Sequence, residues 1–126
     1  MSVVDSSGWI EFLANDPNAS AFEPQIDPPT ELVIPTIVLV EVLRWLRAHG
    51  RADEAEETLA AMARARVVPL TISIASLAAE LGIRHRLPLA DSIVYATAQS
   101  LGMELWTQDK DFEGLPGVRY LPKSTD

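Results

Sequence analysis

The feature that most constrains the fold is the alternation of short β-prone runs with longer helix-forming runs along nearly the whole chain. Runs of apolar and β-branched residues, which we interpret as strands, lie at 2–4, 31–34, 67–70, 104–107 and 118–121. Helices are predicted in the segments between these strands. Strands that alternate with helices favour a parallel sheet with helices on both faces. We therefore predict an α/β fold with a central parallel sheet of about five strands.

Proline and glycine mark the predicted ends of several elements. Pro35 stands where a helix is expected to begin, and Gly50 stands where that helix is expected to end. Thr71 or Ser73 is the expected cap of a later helix. The segment 15–30 contains Pro17, Pro24, Pro28 and Pro29. We predict an irregular surface connection there, because proline interrupts regular hydrogen bonding.

The size and composition of the chain limit its architecture and its chemistry. The 126 residues, 48% of them hydrophobic, are suited to one compact domain, predicted over 1–126. The absence of cysteine excludes disulfides and thiolate metal sites and suits a reducing cytoplasm. The sequence begins without a signal-peptide pattern, and Glu41 interrupts its longest apolar stretch. We predict a cytoplasmic protein with no membrane segment.

Two acidic residues follow predicted strands directly or closely. Asp5 comes immediately after the first strand, and Asp109 lies two residues beyond Thr107, the expected end of the fourth. Ligands of open α/β sheets bind beyond the carboxyl ends of the strands, so both carboxylates are candidates for a site. A simpler interpretation is that each one caps the helix that follows it.

Two further acidic residues stand in apolar surroundings. Glu41 is the one polar residue of the run 37–43 on a predicted helix, and Asp91 lies near the start of another helix. An unpaired buried carboxylate costs several kcal/mol, so Glu41 needs a cation, a proton or a cavity rim. Pairing with Arg44 is the structural alternative for Glu41. Interaction with the helix dipole is the alternative for Asp91.

The four carboxylates are able to converge at one end of a parallel sheet. At about 4 Å and an effective dielectric near 20, each like-charge pair costs on the order of 4 kcal/mol. Such a cluster persists only with protonation or with divalent cations. Mg²⁺ binds carboxylates and substrate phosphates, and no His or Cys cluster in this sequence favours a softer metal. We therefore predict magnesium-dependent hydrolysis of phosphodiester bonds.

Four segments stand out in order along the chain: Val3-Val4-Asp5-Ser6-Ser7, the helix with Glu41, Leu87-Pro88-Leu89-Ala90-Asp91-Ser92 with Ala96-Thr97-Ala98, and Thr107-Gln108-Asp109-Lys110-Asp111-Phe112. Together they resemble the PIN domain of VapC-type toxins, which are ribonucleases of type II toxin–antitoxin systems. The resemblance spans nearly the whole chain. It implies a three-layer sandwich in which the parallel sheet is flanked by helices.

The resemblance also implies a set of functional residues and partners. The catalytic acids that bind Mg²⁺ or Mn²⁺ would be Asp5, Glu41, Asp91 and Asp109, with hydrogen-bonding support from Ser7 and Thr107. Asp111 is able to share or replace the role of Asp109. The domain would form a homodimer, cleave RNA and bind a cognate antitoxin protein that blocks the site.

The net charge of −8 is unusual for a protein that binds RNA. Eight of the ten basic residues are arginines, and Arg44, Arg84 and Arg86 are the candidates for RNA contacts. Ordinary solvated helix faces are the alternative interpretation of these arginines. Two other functions stay open: a housekeeping nuclease of the same fold, and a non-catalytic binding module whose acidic pocket accepts a partner's arginine.

Overall fold

Five short parallel strands form the central sheet of the structure, a computed structural model that describes residues 1–124. The strands are β1 (Ser2–Val4), β2 (Leu32–Pro35), β3 (Arg66–Val68), β4 (Glu104–Thr107) and β5 (Val118–Tyr120). Their order across the sheet is β3-β2-β1-β4-β5, and every neighbouring pair is parallel. The α/β fold with a parallel sheet of five strands is therefore confirmed.

Six α-helices connect and flank the strands. They are α1 (Ser6–Leu13), α2 (Ala19–Ile26), α3 (Thr36–Ala48), α4 (Ala55–Met62), α5 (Ile72–His85) and α6 (Leu89–Ser100), with short 3₁₀ turns at Pro29–Glu31, Ala52–Glu54 and Lys110–Phe112. Helix α1 packs against α2 and α3, and α5 packs extensively against α6. In the part of the chain described, no helix combines the length and apolarity that crossing a membrane requires.

The core is built on the two central strands and their neighbour β4. Val3, Val4, Val33, Ile34 and Leu105 are all fully buried. Their continuous apolar pattern, rather than an alternating one, is typical of parallel strands that are covered on both faces. The sheet therefore gives a rigid base to the loops at its carboxyl edge.

Local hydrogen bonds account for several helix ends. Asp5 caps α1 by accepting a bond from the Gly8 amide, and Thr71 caps α5 by accepting one from the Ile74 amide at 3.2 Å. Of the two caps proposed for α5, Thr71 is therefore the one that is used. Helix α5 ends at His85, and its C-cap Arg86, with a φ of 56°, reverses the chain before α6.

The prediction of an irregular connection over 15–30 is wrong, because α2 lies within it. Pro24 stands inside this helix, and removes a single backbone donor from it. The spacing of Ala19, Phe22 and Ile26 places three buried side chains on one face, which packs on α1 and β1. Burial of this face outweighs the proline, which is the reason that the helix forms.

Candidate metal centre

The candidate site lies at the carboxyl edge of the sheet, where β1 and β4 are neighbours. The chain order of the strands reverses at this pair, since β2 and β3 lie to one side and β5 to the other. Both strands end in segments that carry an acid, Asp5 after β1 and Asp109 after β4. A reversal of strand order leaves a crevice at the carboxyl ends, which is where open α/β sheets bind ligands.

Asp5 is a buried carboxylate, only 4% exposed, that accepts three hydrogen bonds. Its Oδ1 accepts from the Ser7 hydroxyl at 2.6 Å and from the Gly8 amide at 3.2 Å, and its Oδ2 accepts from the Thr107 hydroxyl at 2.8 Å. The pKa of Asp5 is nevertheless raised to about 6, chiefly by burial and to a smaller extent by the nearby charge of Asp109. The capping role and the position at the site therefore coexist in one residue.

Asp109 and Asp111 lie together at the turn that follows β4. The Asp109 amide donates to the Thr107 hydroxyl at 2.9 Å, which ties the turn to the end of the strand. The Asp109 carboxylate accepts from the Asp111 amide at 2.9 Å and caps the short 3₁₀ turn. The Asp111 carboxylate therefore places an oxygen in the same region as the Asp109 carboxylate.

Asp91 lies in the first turn of α6 and faces the other acids. Its pKa is raised to about 7, chiefly by burial and then by the charges of Asp109, Asp5, Asp111 and Glu41, in that order. A carboxylate at a helix start is expected to gain from the helix dipole, so a raised pKa shows that burial and repulsion exceed that gain. Asp91 is thus held at a point of concentrated negative charge.

Glu41 lies in the middle of α3 and is half-buried. Burial raises the pKa of its carboxyl group, a hydrogen bond with the Ser6 side chain lowers it, and the charge of Asp109 raises it. No ion pair joins Glu41 to Arg44 within residues 1–124, so the alternative of an i, i+3 pair is not what holds this carboxylate. Glu41 is oriented by α1 instead.

The structure brings Asp91, Asp109 and Asp111 into the closest group. Each offers a carboxylate oxygen within 4.8 Å of the others, a spacing at which one cation is able to contact all three. Asp5 and Glu41 stand outside this group but interact electrostatically with its members. The donor set, oxygen only and strongly anionic, suits a hard divalent cation such as Mg²⁺ or Mn²⁺.

Several polar residues around the site were not foreseen from the sequence. Ser6 binds Glu41, while Glu11, Gln108 and Asn18 form a buried network beside the turn after β4. Glu11 is the one charged residue between the apolar residues 9–10 and 12–13. The pattern that singled out Glu41 was therefore available to identify Glu11 as well.

The three arginines proposed for RNA binding lie on exposed surface. Arg84 forms an ion pair with Glu80 at 2.6 Å on the same helix, which is the arrangement of an ordinary solvated face. Arg44 is exposed on α3, one turn beyond Glu41, and Arg86 is exposed at the end of α5. Their role in RNA binding stays a prediction.

An apolar groove of about 490 Å³, here named the α5–α6 groove, lies between α5 and α6, and none of the acids of the site lines it. Two large side chains that line it are strongly exposed, Ile83 at 84% and Leu89 at 81%, and Ile72 at the start of α5 is 91% exposed. Contiguous exposed apolar residues of this size are typical of surfaces that contact another protein.

Known proteins share this architecture. The chain matches the PIN domain family over residues 2–118. It is similar to a toxin–antitoxin complex from Klebsiella pneumoniae, with 27% identity, a TM-score of 0.84 and coverage of 98% of this chain and 100% of that chain. No curated protein sequence matches it.

Two further solved structures show the same fold at lower identity. One is VapC20 from Mycobacterium tuberculosis, described as a toxin that cleaves the sarcin-ricin loop, at 23% identity and a TM-score of 0.74, with coverage of 97% of this chain and 100% of that chain. The other is DNA-bound VapBC from Salmonella typhimurium, at 16% identity and a TM-score of 0.69, with coverage of 97% and 98%. At these identities the likeness concerns the fold alone.

Proposed function

The chain belongs to the PIN domain family, and from that we propose that it is a divalent-metal-dependent ribonuclease that acts as the toxin of a toxin–antitoxin pair. The observation that carries the proposal is the group of Asp91, Asp109 and Asp111, with Asp5 and Glu41 beside it. A single domain over 1–126 is part of the proposal. The matched family residues 2–118 support it.

We propose Asp5, Glu41, Asp91 and Asp109 as the catalytic acids that hold Mg²⁺ or Mn²⁺, with Asp111 as an additional carboxylate. When bound there, the cation supplies positive charge for phosphate oxygens and lowers the pKa of water for attack on phosphorus. The raised pKa values of Asp5 and Asp91 support this assignment, because such groups are ionised more readily when a cation is close.

The residues around the acids have a distinct role in this proposal. Ser7 and Thr107 each donate a hydrogen bond to Asp5, one to each carboxylate oxygen, and so fix the plane of the group. The hydrogen bond with the Ser6 side chain lowers the pKa of Glu41 and so favours its ionised form. Preorganised ligands lose little freedom when they bind a cation or a substrate, which favours both binding and turnover.

A cognate antitoxin protein is the proposed partner, and RNA is the proposed substrate. The similarity to toxin–antitoxin complexes supports the first assignment. An acidic site of this kind is expected to attract an arginine of the antitoxin, because the guanidinium fork pairs well with carboxylates. We propose in addition that two copies of the chain associate through the α5–α6 groove, which presents large exposed apolar residues.

A metal-depletion assay tests the enzymatic proposal. The protein is stripped with a chelator, incubated with labelled single-stranded RNA, and supplied with Mg²⁺, Mn²⁺ or no metal. We expect cleavage only after a divalent cation is returned, and we expect Asp91→Asn to abolish it. Glu23→Gln, a charge-matched change at an exposed position of α2, is the control that should cleave as the wild type does.

The same assay separates the proposal from a binding module. A protein that merely accepts a partner's arginine in its acidic pocket would give no metal-dependent product with any RNA. A housekeeping nuclease would cleave, but its gene would lack a neighbouring reading frame for a small antitoxin. Co-purification with the product of such a neighbouring frame, and inhibition by it, are the results expected for a toxin.

A further inference from the structure

A polar network that is buried at Glu11 and Gln108 connects α1 to the turn that follows β4. Its centre is Glu11, which is 1% exposed in the second turn of α1. One carboxylate oxygen accepts from the Gln108 side-chain amide at 2.7 Å, and the other accepts from the Asn18 backbone amide at 2.9 Å. An isolated buried carboxylate is strongly disfavoured, so these bonds are what make its burial tolerable.

The network continues as a chain of side-chain amides. The Gln108 Oε1 atom accepts from Asn18 Nδ2 at 3.1 Å, and Asn18 Nδ2 also donates to the Pro122 carbonyl oxygen at 2.9 Å. A carboxylate accepts hydrogen bonds and donates none, so Glu11 dictates which way the Gln108 amide faces. That choice in turn dictates the orientation of Asn18.

The network reaches the acid cluster through Gln108. Ser7 and Glu11 lie one turn apart on α1, and Ser7 Oγ accepts from the Gln108 backbone amide at 3.2 Å. Helix α1 therefore holds Gln108 at two points, its main chain through Ser7 and its side chain through Glu11. The residues on either side of Gln108 are Thr107, which binds Asp5, and Asp109, which belongs to the cluster.

We propose that Glu11 and Gln108 form a positioning pair that fixes Asp109 relative to Asp5 and Asp91. Neither side chain belongs to the acid cluster; both act through the turn between β4 and the 3₁₀ helix that follows. The proposal rests on the proposed function, because the position of Asp109 matters for a cation. Stability alone gives little reason for the pair, since well-packed apolar side chains in place of buried charged ones are often at least as stable.

The test is the affinity for Mn²⁺, measured by calorimetry without RNA. In Glu11→Gln the new amide turns a donor toward the Gln108 donor, and reversing the Gln108 and Asn18 amides would set the Asn18 oxygen against the Pro122 oxygen. We expect Mn²⁺ binding to weaken about 10-fold, the scale of losing a hydrogen-bond partner of a metal ligand. The Mn²⁺ concentration for half-maximal RNA cleavage should rise equally, while KM for RNA stays unchanged.

The exchange variant E11Q/Q108E separates positioning from damage to the fold. The glutamine introduced on α1 is then able to accept from the Asn18 backbone amide and to donate to the glutamate introduced after β4, whose other oxygen accepts from Asn18 Nδ2. The net charge is also preserved. We expect this variant to bind Mn²⁺ within about threefold of the wild type, so that most of the about 10-fold loss is recovered. Glu23→Gln, which removes one exposed charge, should bind as the wild type does.

Each result of this experiment is decisive. Weakened binding in Glu11→Gln, recovered in the exchange variant, supports the positioning role. Wild-type affinity in Glu11→Gln, or a loss that the folded exchange variant does not recover, would overturn it while leaving the proposed function intact. Wild-type protein that binds no Mn²⁺ would contradict the proposed function itself, and the positioning role with it.

Discussion

At the scale of single residues, the site is a balance between repulsion and restraint. The pKa of Asp91 is raised to about 7 and that of Asp5 to about 6, in each case chiefly because of burial. Hydrogen bonds from Ser7, Thr107 and Gly8 pull the pKa of Asp5 down again, whereas for Asp91 every interaction that shifts the pKa raises it. Asp91 is therefore the carboxylate with most to gain from a cation.

Asp5→Asn tests the role of the carboxylate that lies between β1 and α1. Asparagine caps helices as well as aspartate does, so the Gly8 amide keeps its acceptor and the fold should persist. RNA cleavage in Mg²⁺ should fall at least about 100-fold, the upper end of the cost of losing one hydrogen-bond partner of a metal ligand. Asp16→Asn, at an exposed position, is the matched control. Cleavage at the wild-type rate by Asp5→Asn would refute the assignment of this acid.

The raised pKa of Asp91 predicts how the stability of the metal-free protein depends on pH. Between the ordinary value of 3.8 and about 7, the folded protein retains a proton that the unfolded chain releases. The free energy of unfolding therefore falls as pH rises through this window. We expect the Tm in chelator to drop more for the wild type than for Asp91→Asn between about pH 5 and pH 8, and Mn²⁺ to reverse the drop. Parallel Tm profiles for the two proteins would disprove this.

At the scale of elements, α6 is positioned by its close packing on α5. The gap between them is narrow at Gly82, where an added Cβ would lie 2.4 Å from the Ser92 hydroxyl oxygen. Ser92 follows Asp91 directly, and its hydroxyl donates to the Pro88 carbonyl oxygen at 2.9 Å. The helix crossing thus determines where Asp91 stands.

Gly82→Ala tests this crossing. Overpacking costs about 1–3 kcal/mol, and the better helix propensity of alanine returns about 1 kcal/mol. We expect the free energy of unfolding, measured in urea, to fall on balance, and metal affinity to fall with it. In a double-mutant cycle with Ser92→Ala the two changes should couple favourably, because the clashing oxygen is gone. If the two changes in the free energy of unfolding are strictly additive, then α5 and α6 move apart without an energetic cost.

The elements also show what local sequence does and does not encode. All five strands were predicted within one or two residues of their bounds, and the fully buried β2 in particular is written as a continuous apolar run. Helix α2 was missed, since its proline content concealed the buried spacing of Phe22 and Ile26. The pairing of Glu11 with Gln108 joins residues that are 97 positions apart. Such a contact follows from the strand order, which no local pattern specifies.

The four acids could be identified from local sequence, but the arrangement of their side chains could not. Each was identified from its own surroundings, Asp5 and Asp109 by strand ends, and Glu41 and Asp91 by their apolar neighbours. The place of Asp111 in the closest group was left open, because the separation of side chains within a turn depends on its backbone geometry. Their roles in binding a cation stay predictions that the variants above address.

At the scale of the whole molecule, the property to test is the proposed association of two copies of the chain through the α5–α6 groove. Ile83→Glu places a charge at an 84% exposed position of the α5–α6 groove and removes no buried contact. We expect light scattering to give a dimer mass for the wild type and a monomer mass for this variant, with equal Tm at matched dilution. Leu59→Glu on α4 is the control that should remain dimeric. A wild-type monomer at micromolar concentration would refute the dimer.

The central place of β1 has a consequence for synthesis on the ribosome. Among the five strands β1 comes first along the chain, yet one of its two neighbours, β4, begins only at Glu104. Domains fold as units during synthesis. The nascent chain therefore cannot complete the middle of its sheet until most of its length has been translated. Asp109 emerges later still. Translation products that end before Glu104 therefore lack both β4 and Asp109, one of the acids proposed to bind the cation, and we expect them to be inactive.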